Sequence, residues 1–392
     1  MGGLSSTYFH RELITYPQVD FVLRGDSTEP PLHQLLVALR DGASLDGIPN
    51  LTWKDPGGIH VNPHSYVPTT LDYVDIRPDL MIEMMARYRD LESTLPFNGW
   101  WRNPIAAVFT VKGCAYECVT CGSSRTTCTH LTQRQRPVFR SPESLVANVE
   151  AFARLTRGPI ALIGDLRQAG ADHASEVLER LRVADLQNEI IFELFGVPPS
   201  GFLQEVDRCV PHWSIEFSPE SHDQAVRDAQ EGEADYTTAE MEEMLREALR
   251  LRCERLDVFF MIGLPAQTVE SVRGTVDYCE RLFQLGDSRL SCFISPMGPF
   301  IDPGSRGFEE PERFGYRLFA RTLEEHRQLL VQPTWEHILN YETKWMTRRE
   351  LVDATYDAAE RLNELKIRYG RISPRRGRQV AARIAAARAL RA

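Results

Sequence analysis

Three cysteines fall within eight residues of the segment VKGCAYECVTCGSS: Cys114, Cys118 and Cys121, spaced C-x3-C-x2-C. A loop this short can wrap three thiolates around one inorganic iron–sulfur cluster while leaving the fourth iron without a protein ligand. That opening matters because a substrate can chelate it, much as a vacant position separates catalytic from structural zinc. Zinc is the competing reading, with Cys118, Cys121, Cys128 and His130 as a four-ligand set in a metal-stabilised binding module that catalyses nothing. Cys209, Cys253, Cys279 and Cys292 stand singly among apolar residues and read as small buried hydrophobes.

The elements that must position such a loop begin just before it. Near-continuous apolar runs at 105–111, 159–165, 189–196, 212–218, 257–263 and 291–295 suit parallel strands covered on both faces. Helical patterns separate them. Ser141-Pro142-Glu143 supplies an N-cap, a first-turn proline and an acid, and Thr237 with Glu240 has the spacing of a capping box. Six strands alternating with helices predict an α/β fold: a parallel, partial TIM-type barrel of about six βα units with its site at the C-terminal strand ends.

Composition bounds the rest. Apolar residues make up 43% and charged residues 26% of 392, which suits a folded globular chain. The net charge of −10 repels phosphate, so nucleic acid is not the expected partner. The N-terminal residues lack a basic segment followed by an apolar run, and no stretch approaches a membrane span, so the chain reads as cytoplasmic with no membrane partner. Residues 1–61 read as a strand, a helix and a hairpin around Asp55, Pro56, Gly57 and Gly58; residues 62–104, punctuated by Pro63, Pro68, Pro78 and Pro96, read as a linker with one helix at 79–91. The barrel takes 105–300. Residues 301–392 form a helical extension, with helices at 313–330 and 347–368 and an arginine-rich tail that reads as a solvated helix, RNA or membrane-surface contact being the alternative.

The cysteine motif, its position after the first strand and the α/β repeat that follows resemble the radical S-adenosylmethionine superfamily. The resemblance implies a [4Fe-4S] cluster on Cys114, Cys118 and Cys121, S-adenosylmethionine on the open iron, and reductive cleavage to a 5′-deoxyadenosyl radical, with electrons from a donor such as a flavodoxin or ferredoxin. One departure is Thr120, where the family usually has an aromatic residue. Ile163-Gly164-Asp165 stands where the family often has Gly-Gly-Glu, which implies Gly164 and Asp165 at the methionine amino group. Glu216 and Ser218 in SIEFSPES match positions that hold the ribose or amino acid part, and Gly263 and Pro265 in FMIGLPAQTVES match a segment that meets the adenine. Glu193 raises the same question as Glu216, either a ligand or one half of an ion pair. Phe300, Asp302 and Ser305 follow the sixth strand and stand at the barrel mouth, whereas Trp335, Tyr341 and Trp345 are expected to pack the C-terminal helices.

Residues 1–61 resemble the second half of the Rossmann-like cobalamin-binding domain that precedes the barrel in cobalamin-dependent members, with Gly2 and Gly3 matching a glycine pair near the cofactor. No Asp-x-His-x-x-Gly motif precedes them in this sequence, so the expectation is either an upstream start or a branch that has lost most of that domain. The resemblance therefore implies a methyltransferase acting through cobalamin on an unactivated carbon of a small-molecule or peptide substrate. The alternative is a cobalamin-independent enzyme that abstracts hydrogen and then rearranges or oxidises its substrate.

Overall fold

The computed structural model describes residues 1–73, 76–90, 100, 104–232 and 235–389. Pro96, most of the last part of the linker and residues 390–392 of the tail lie outside these.

The apolar runs become six strands, Ala106–Phe109, Ile160–Ile163, Ile190–Leu194, Trp213–Glu220, Leu256–Ile262 and Leu290–Pro296. They pair in parallel in sequence order and form one curved layer. Alternation along each strand decides which side faces what. Val108, Leu162, Phe192, Ile215, Phe217, Val258, Phe260 and Cys292 are buried and pack under the helices. The other face carries Phe109, Glu193, Glu216, Ser218, Phe259, Ser291 and Phe293, all partly or largely exposed, and forms the inner wall of a partial barrel.

The covering helices start where the sequence marks them. Ser141 accepts from Ser144 N to cap Pro142–Ala153, and Thr237 and Glu240 complete a capping box on Thr238–Arg250. Two boundaries differ from the sequence reading. The strand ending at Glu220 is longer than expected, and the stretch 313–322 is not helical. Tyr316–Leu318 instead pairs antiparallel with Tyr341–Thr343, Gly315 has φ +76°, and the helix begins only after Thr322, whose side chain and Glu325 make a capping box. Helix Arg348–Arg368 lies where expected and packs on the sixth strand.

The N-terminal residues form a three-stranded sheet in which Phe21–Leu23 pairs antiparallel with Leu51–Asp55, and Leu51–Asp55 turns into Gly58–Val61. Met1 sits beside Val22 in parallel sense, donating to Phe21 O at 2.7 Å and accepting from Leu23 N at 2.8 Å. The chain thus runs from an extended residue through Gly2-Gly3 into helix Leu4–Tyr8 and back to the strand, the order of a crossover unit.

This unit is tied to the cysteine loop by a buried ion pair. Arg134, 3% exposed, grips Asp26 through two nitrogens and Pro68 O through a third at 3.0 Å. Burial alone pushes the Asp26 carboxyl up, but the Arg134 guanidinium overrides it and holds the group below its usual range. Because the folded value is depressed, the pair's stabilisation is present above the unfolded carboxyl pKa of about 4 and is lost as pH falls through the folded value. Arg134→Met strands a buried carboxylate and is expected to cost about 3–5 kcal/mol at neutral pH. Chemical denaturation at pH 7 and pH 3 checks this: the deficit is expected to shrink at the lower pH.

Candidate functional site

The cysteine loop leaves the first barrel strand at its C-terminal end and has no ladder of its own, so its shape is set from outside. Val119 N donates to Gln230 O at 2.9 Å, and Val119 O accepts from Gly307 N at 2.8 Å. Arg306 donates to Glu117 O, and Asp302 accepts from Gly122 N at 2.8 Å. Glycine is required at 122, because a Cβ there would stand 2.8 Å from Asp302 Cβ. Asp302 therefore clamps the residue after Cys121, a more specific place than the barrel mouth that its sequence position suggests.

Within this frame Cys118 is buried, and Cys114 and Cys121 are partly exposed. Tyr116 N donates to Cys114 Sγ at 3.5 Å and Ser123 N to Cys121 Sγ at 3.3 Å, the backbone N–H···S contacts that favour thiolate ligands. Burial pushes the Cys121 thiol up to about 12, against the opposing Ser123 N–H, and the carboxylates of Asp302 and Glu220 add to the rise.

Among the described residues no three His, Cys, Asp or Glu side chains gather around one metal-sized point. Cys128 is buried and donates to Ser123 O at 3.4 Å, and His130 is exposed, so the four-ligand zinc set is not assembled. Cys209, Cys253, Cys279 and Cys292 are all buried in the core.

Asp165 is 1% exposed and committed: it pairs with the Arg167 guanidinium, accepts from Phe195 N at 3.1 Å and caps the turn Leu166–Ala169 through Arg167 N at 3.1 Å. Asp165 is thus engaged by Arg167 and by the turn it caps. The carboxylate that reaches the end of the second strand is that of Glu193, which accepts from Gly164 N at 2.6 Å. Gly164 has φ +95°, and a Cβ would meet Val111 at 2.5 Å.

Strand register then sets Glu193 beside Glu216, Glu216 beside Asp257, and Asp257 beside Ser291 on the inner wall. Like charges directly opposite repel. Burial pushes all three carboxyls up, Asp257 to about 6, although Arg255 acts against the rise at Glu216 and Asp257. Next to this row Phe259 stacks on Phe293 at 4.9 Å, with Lys366 over Phe293 at 3.9 Å. Ser218 lies one pleat above Glu216 with a partly exposed side chain.

Gly263 has φ +103°, and its close neighbour is Tyr341, whose hydroxyl would stand 2.6 Å from a Cβ. Its N–H donates to Gln267 Oε1 at 2.8 Å and its carbonyl accepts from Tyr316 Oη at 2.9 Å. Pro265 leads into Ala266, which has φ +61°, so the whole turn is rigid. Tyr341 packs against this turn, Trp335 against the core, and Trp345 against Gly315 and Lys344. Ser305 caps a short helical turn, and Phe300 packs on the ring of His326.

The sequence reading missed three polar residues beside the cysteines. Glu220 ends the fourth strand with φ +63° after a register shift, and burial pushes its carboxyl up to about 7 against a hydrogen bond from Gln230. A bulge with a left-handed residue re-aims a side chain, and here the carboxylate turns toward Cys121. Gln230 also donates to Thr120 Oγ1 at 2.7 Å, so a polar chain fills the place beside the departure at Thr120. Gln168 contacts Cys114 and Ala115. Only Glu220 had a local signal, an acid next to Pro219 at a strand end.

No family model and no curated protein sequence matches this chain. Solved structures do. The radical S-adenosylmethionine methyltransferase TsrM from Kitasatospora setae, with tryptophan substrate and a SAM analogue bound, superposes with a TM-score of 0.64 at 17% identity over 95% of this chain and 70% of that one. OxsB, a cobalamin-dependent S-adenosylmethionine radical enzyme solved with aqua-cobalamin and S-adenosylmethionine, gives 0.54 at 14% identity over 97% of this chain, which spans 57% of OxsB. The fold is similar to that of TsrM and OxsB, and the expected partial barrel is found.

A Cβ at Gly232 would stand 2.7 Å from Cys118 Sγ. Gly232→Ala is therefore expected to displace one thiol without removing it, and to lower iron retained after anaerobic reconstitution several-fold while far-UV circular dichroism stays unchanged.

Proposed function

We propose that this chain is a radical S-adenosylmethionine enzyme and, more finely, a cobalamin-dependent methyltransferase acting on an unactivated carbon. The observation that carries the reading is the C-x3-C-x2-C loop standing at the C-terminal end of the first barrel strand in a fold shared with TsrM over 95% of the chain.

Cys114, Cys118 and Cys121 hold a [4Fe-4S] cluster in this account. With S-adenosylmethionine bound, that group supplies reductive cleavage of a carbon–sulfur bond and hence a 5′-deoxyadenosyl radical. The chain does the rest. S-Adenosylmethionine carries a sulfonium and an ammonium, and the Glu193–Glu216–Asp257 row is a wall of raised-pKa carboxyls that a cation relieves. Ser218 offers a hydroxyl to the ribose or amino acid part, and the Gly263–Pro265 turn is assigned to the adenine by resemblance alone, because Gln267 and Tyr316 take the Gly263 N–H and carbonyl. Phe109, Phe259 and Phe293 give the inner wall apolar surface, which matters because a primary carbon radical attacks almost any nearby C–H bond and only an oriented, closed site directs it.

The methyl-transfer half rests on the N-terminal unit. Gly3 has φ +98° and open space where a Cβ would project, so the Gly2–Gly3 turn is where a cobalamin tail would approach. The substrate is a small molecule or peptide, and a flavodoxin- or ferredoxin-like donor supplies electrons.

Anaerobic reconstitution is expected to load about four irons and four sulfides. Cys114→Ala, Cys118→Ala and Cys121→Ala should each abolish the brown colour. With reductant, S-adenosylmethionine and cobalamin, the full chain is expected to release 5′-deoxyadenosine, and S-adenosylhomocysteine as well where methyl transfer occurs. 5′-Deoxyadenosine alone points to the cobalamin-independent alternative; retention of a full cluster by all three variants, or a zinc content instead of iron, defeats the proposal.

A further inference from the structure

The carboxyl row on the inner wall runs from the barrel mouth down to its floor, because strands that curve into a barrel are tilted and any row of paired residues slants with them. Glu193 is the last residue but one of strand Ile190–Leu194, whereas Asp257 is the second residue of strand Leu256–Ile262. Asp257 is 5% exposed. Among the described residues its carboxylate makes no hydrogen bond, and the Arg255 Nε that faces it stands 3.5 Å away.

A cation lies near this carboxylate without meeting it. Lys366, on helix Arg348–Arg368, holds its ammonium 3.9 Å over the Phe293 ring, and Phe293 stacks on Phe259 at 4.9 Å. Among the described residues that ammonium makes no salt bridge and no hydrogen bond. Burial pulls Lys366 below the usual lysine range, with Cys292 and Asp257 acting against the fall, and burial pushes Asp257 up to about 6. Each charge is therefore short of a counter-charge, although the two feel one another. Phe293 is 37% exposed, so the ring that carries the ammonium is open on the inner wall.

We propose that the barrel floor takes a zwitterionic substrate with a flat apolar arm, an amino acid in kind, with its carboxylate on Lys366, its ammonium on Asp257 and its arm on Phe259 and Phe293. The inference deepens the function proposed above and rests on it. S-Adenosylmethionine occupies the mouth end of the row at Glu193 in that reading, which leaves the floor end for the substrate. A singly charged molecule would relieve only one of the two groups. A zwitterion meets both and adds no net charge to a place where burial disfavours charge. Charge-assisted hydrogen bonds at both ends fix the direction of the molecule, and the stacked rings favour a flat arm. Fixing both polar ends also sets which C–H bonds face the mouth, the requirement of an oriented radical reaction.

The test is isothermal titration calorimetry on the anaerobically reconstituted full chain, with S-adenosylmethionine present and no reductant, using L-phenylalanine, its methyl ester and 3-phenylpropionate as probes. Wild type is expected to bind L-phenylalanine about tenfold more tightly than either analogue, the factor that one charge-assisted hydrogen bond supplies. Lys366→Met is expected to erase the preference over the ester and keep that over 3-phenylpropionate, Asp257→Asn to do the reverse, and Lys366→Arg, which keeps a cation in place, to retain both. Wild type that binds no L-phenylalanine, or binds it no better than the ester, overturns the proposal, and so does a preference left unchanged by either variant. Should Lys366→Met not fold, the wild-type comparison and Asp257→Asn decide on the same terms. Iron is assayed on the same samples: the expected binding pattern in protein that holds zinc or no iron upholds the floor site and defeats the cluster reading, a distinct outcome.

Discussion

A loop that carries three thiols across eight residues keeps them in one constellation only if its backbone is pinned from outside, since a segment that short has no hydrogen-bond ladder of its own. The pins are five residues from three distant segments: Gln230 on Val119; Asp302, Arg306 and Gly307 on Gly122, Glu117 and Val119; and Gln168 on Ala115. Gln168 lies in the turn after the second barrel strand, Gln230 ends a short helix after the fourth, and Asp302, Arg306 and Gly307 follow the sixth. The barrel is therefore the means by which the loop acquires a shape, and the glycines at 122 and 232 mark where pinning elements come too close for a side chain. The Asp26–Arg134 pair adds the N-terminal unit to the same frame.

The inner wall poses the second constraint. A row of carboxyls on adjacent strands is a poor way to stabilise a sheet, and burial makes it worse, yet Arg255 and Lys366 compensate only part of it. Such a wall is favourable once a cation lies against it. The stacked Phe259 and Phe293 beside the row add apolar surface, so the wall combines a negative and an aromatic face.

Much of this was legible in the sequence because it is local. Six apolar runs of strand length, the Ser141 and Thr237 caps, the Asp55–Gly58 turn and the cysteine spacing are each set by residues near in sequence. What escaped depends on contacts between distant segments. Gln168 meets the loop across 54 residues, Gln230 across 110 and Asp302 across 180. Asp165 matched the position of a ligand, but Arg167 two residues on claims its charge, a competition that spacing alone does not rank. At 313–322 apolar residues suggested a helix; Gly315 and the pairing of Tyr316–Leu318 with Tyr341–Thr343 prevailed, and the Thr322–Glu325 capping box was the overlooked sign of the true start.

The central claim is that three thiolates hold a four-iron cluster and leave one iron open. Mössbauer spectroscopy of 57Fe-reconstituted protein, recorded before and after addition of S-adenosylmethionine, tests it most directly. The account predicts a cluster in which one iron in about four changes its isomer shift and quadrupole splitting on addition while the others do not. Four irons that are indifferent to S-adenosylmethionine, or iron that is not in a cluster at all, would contradict it.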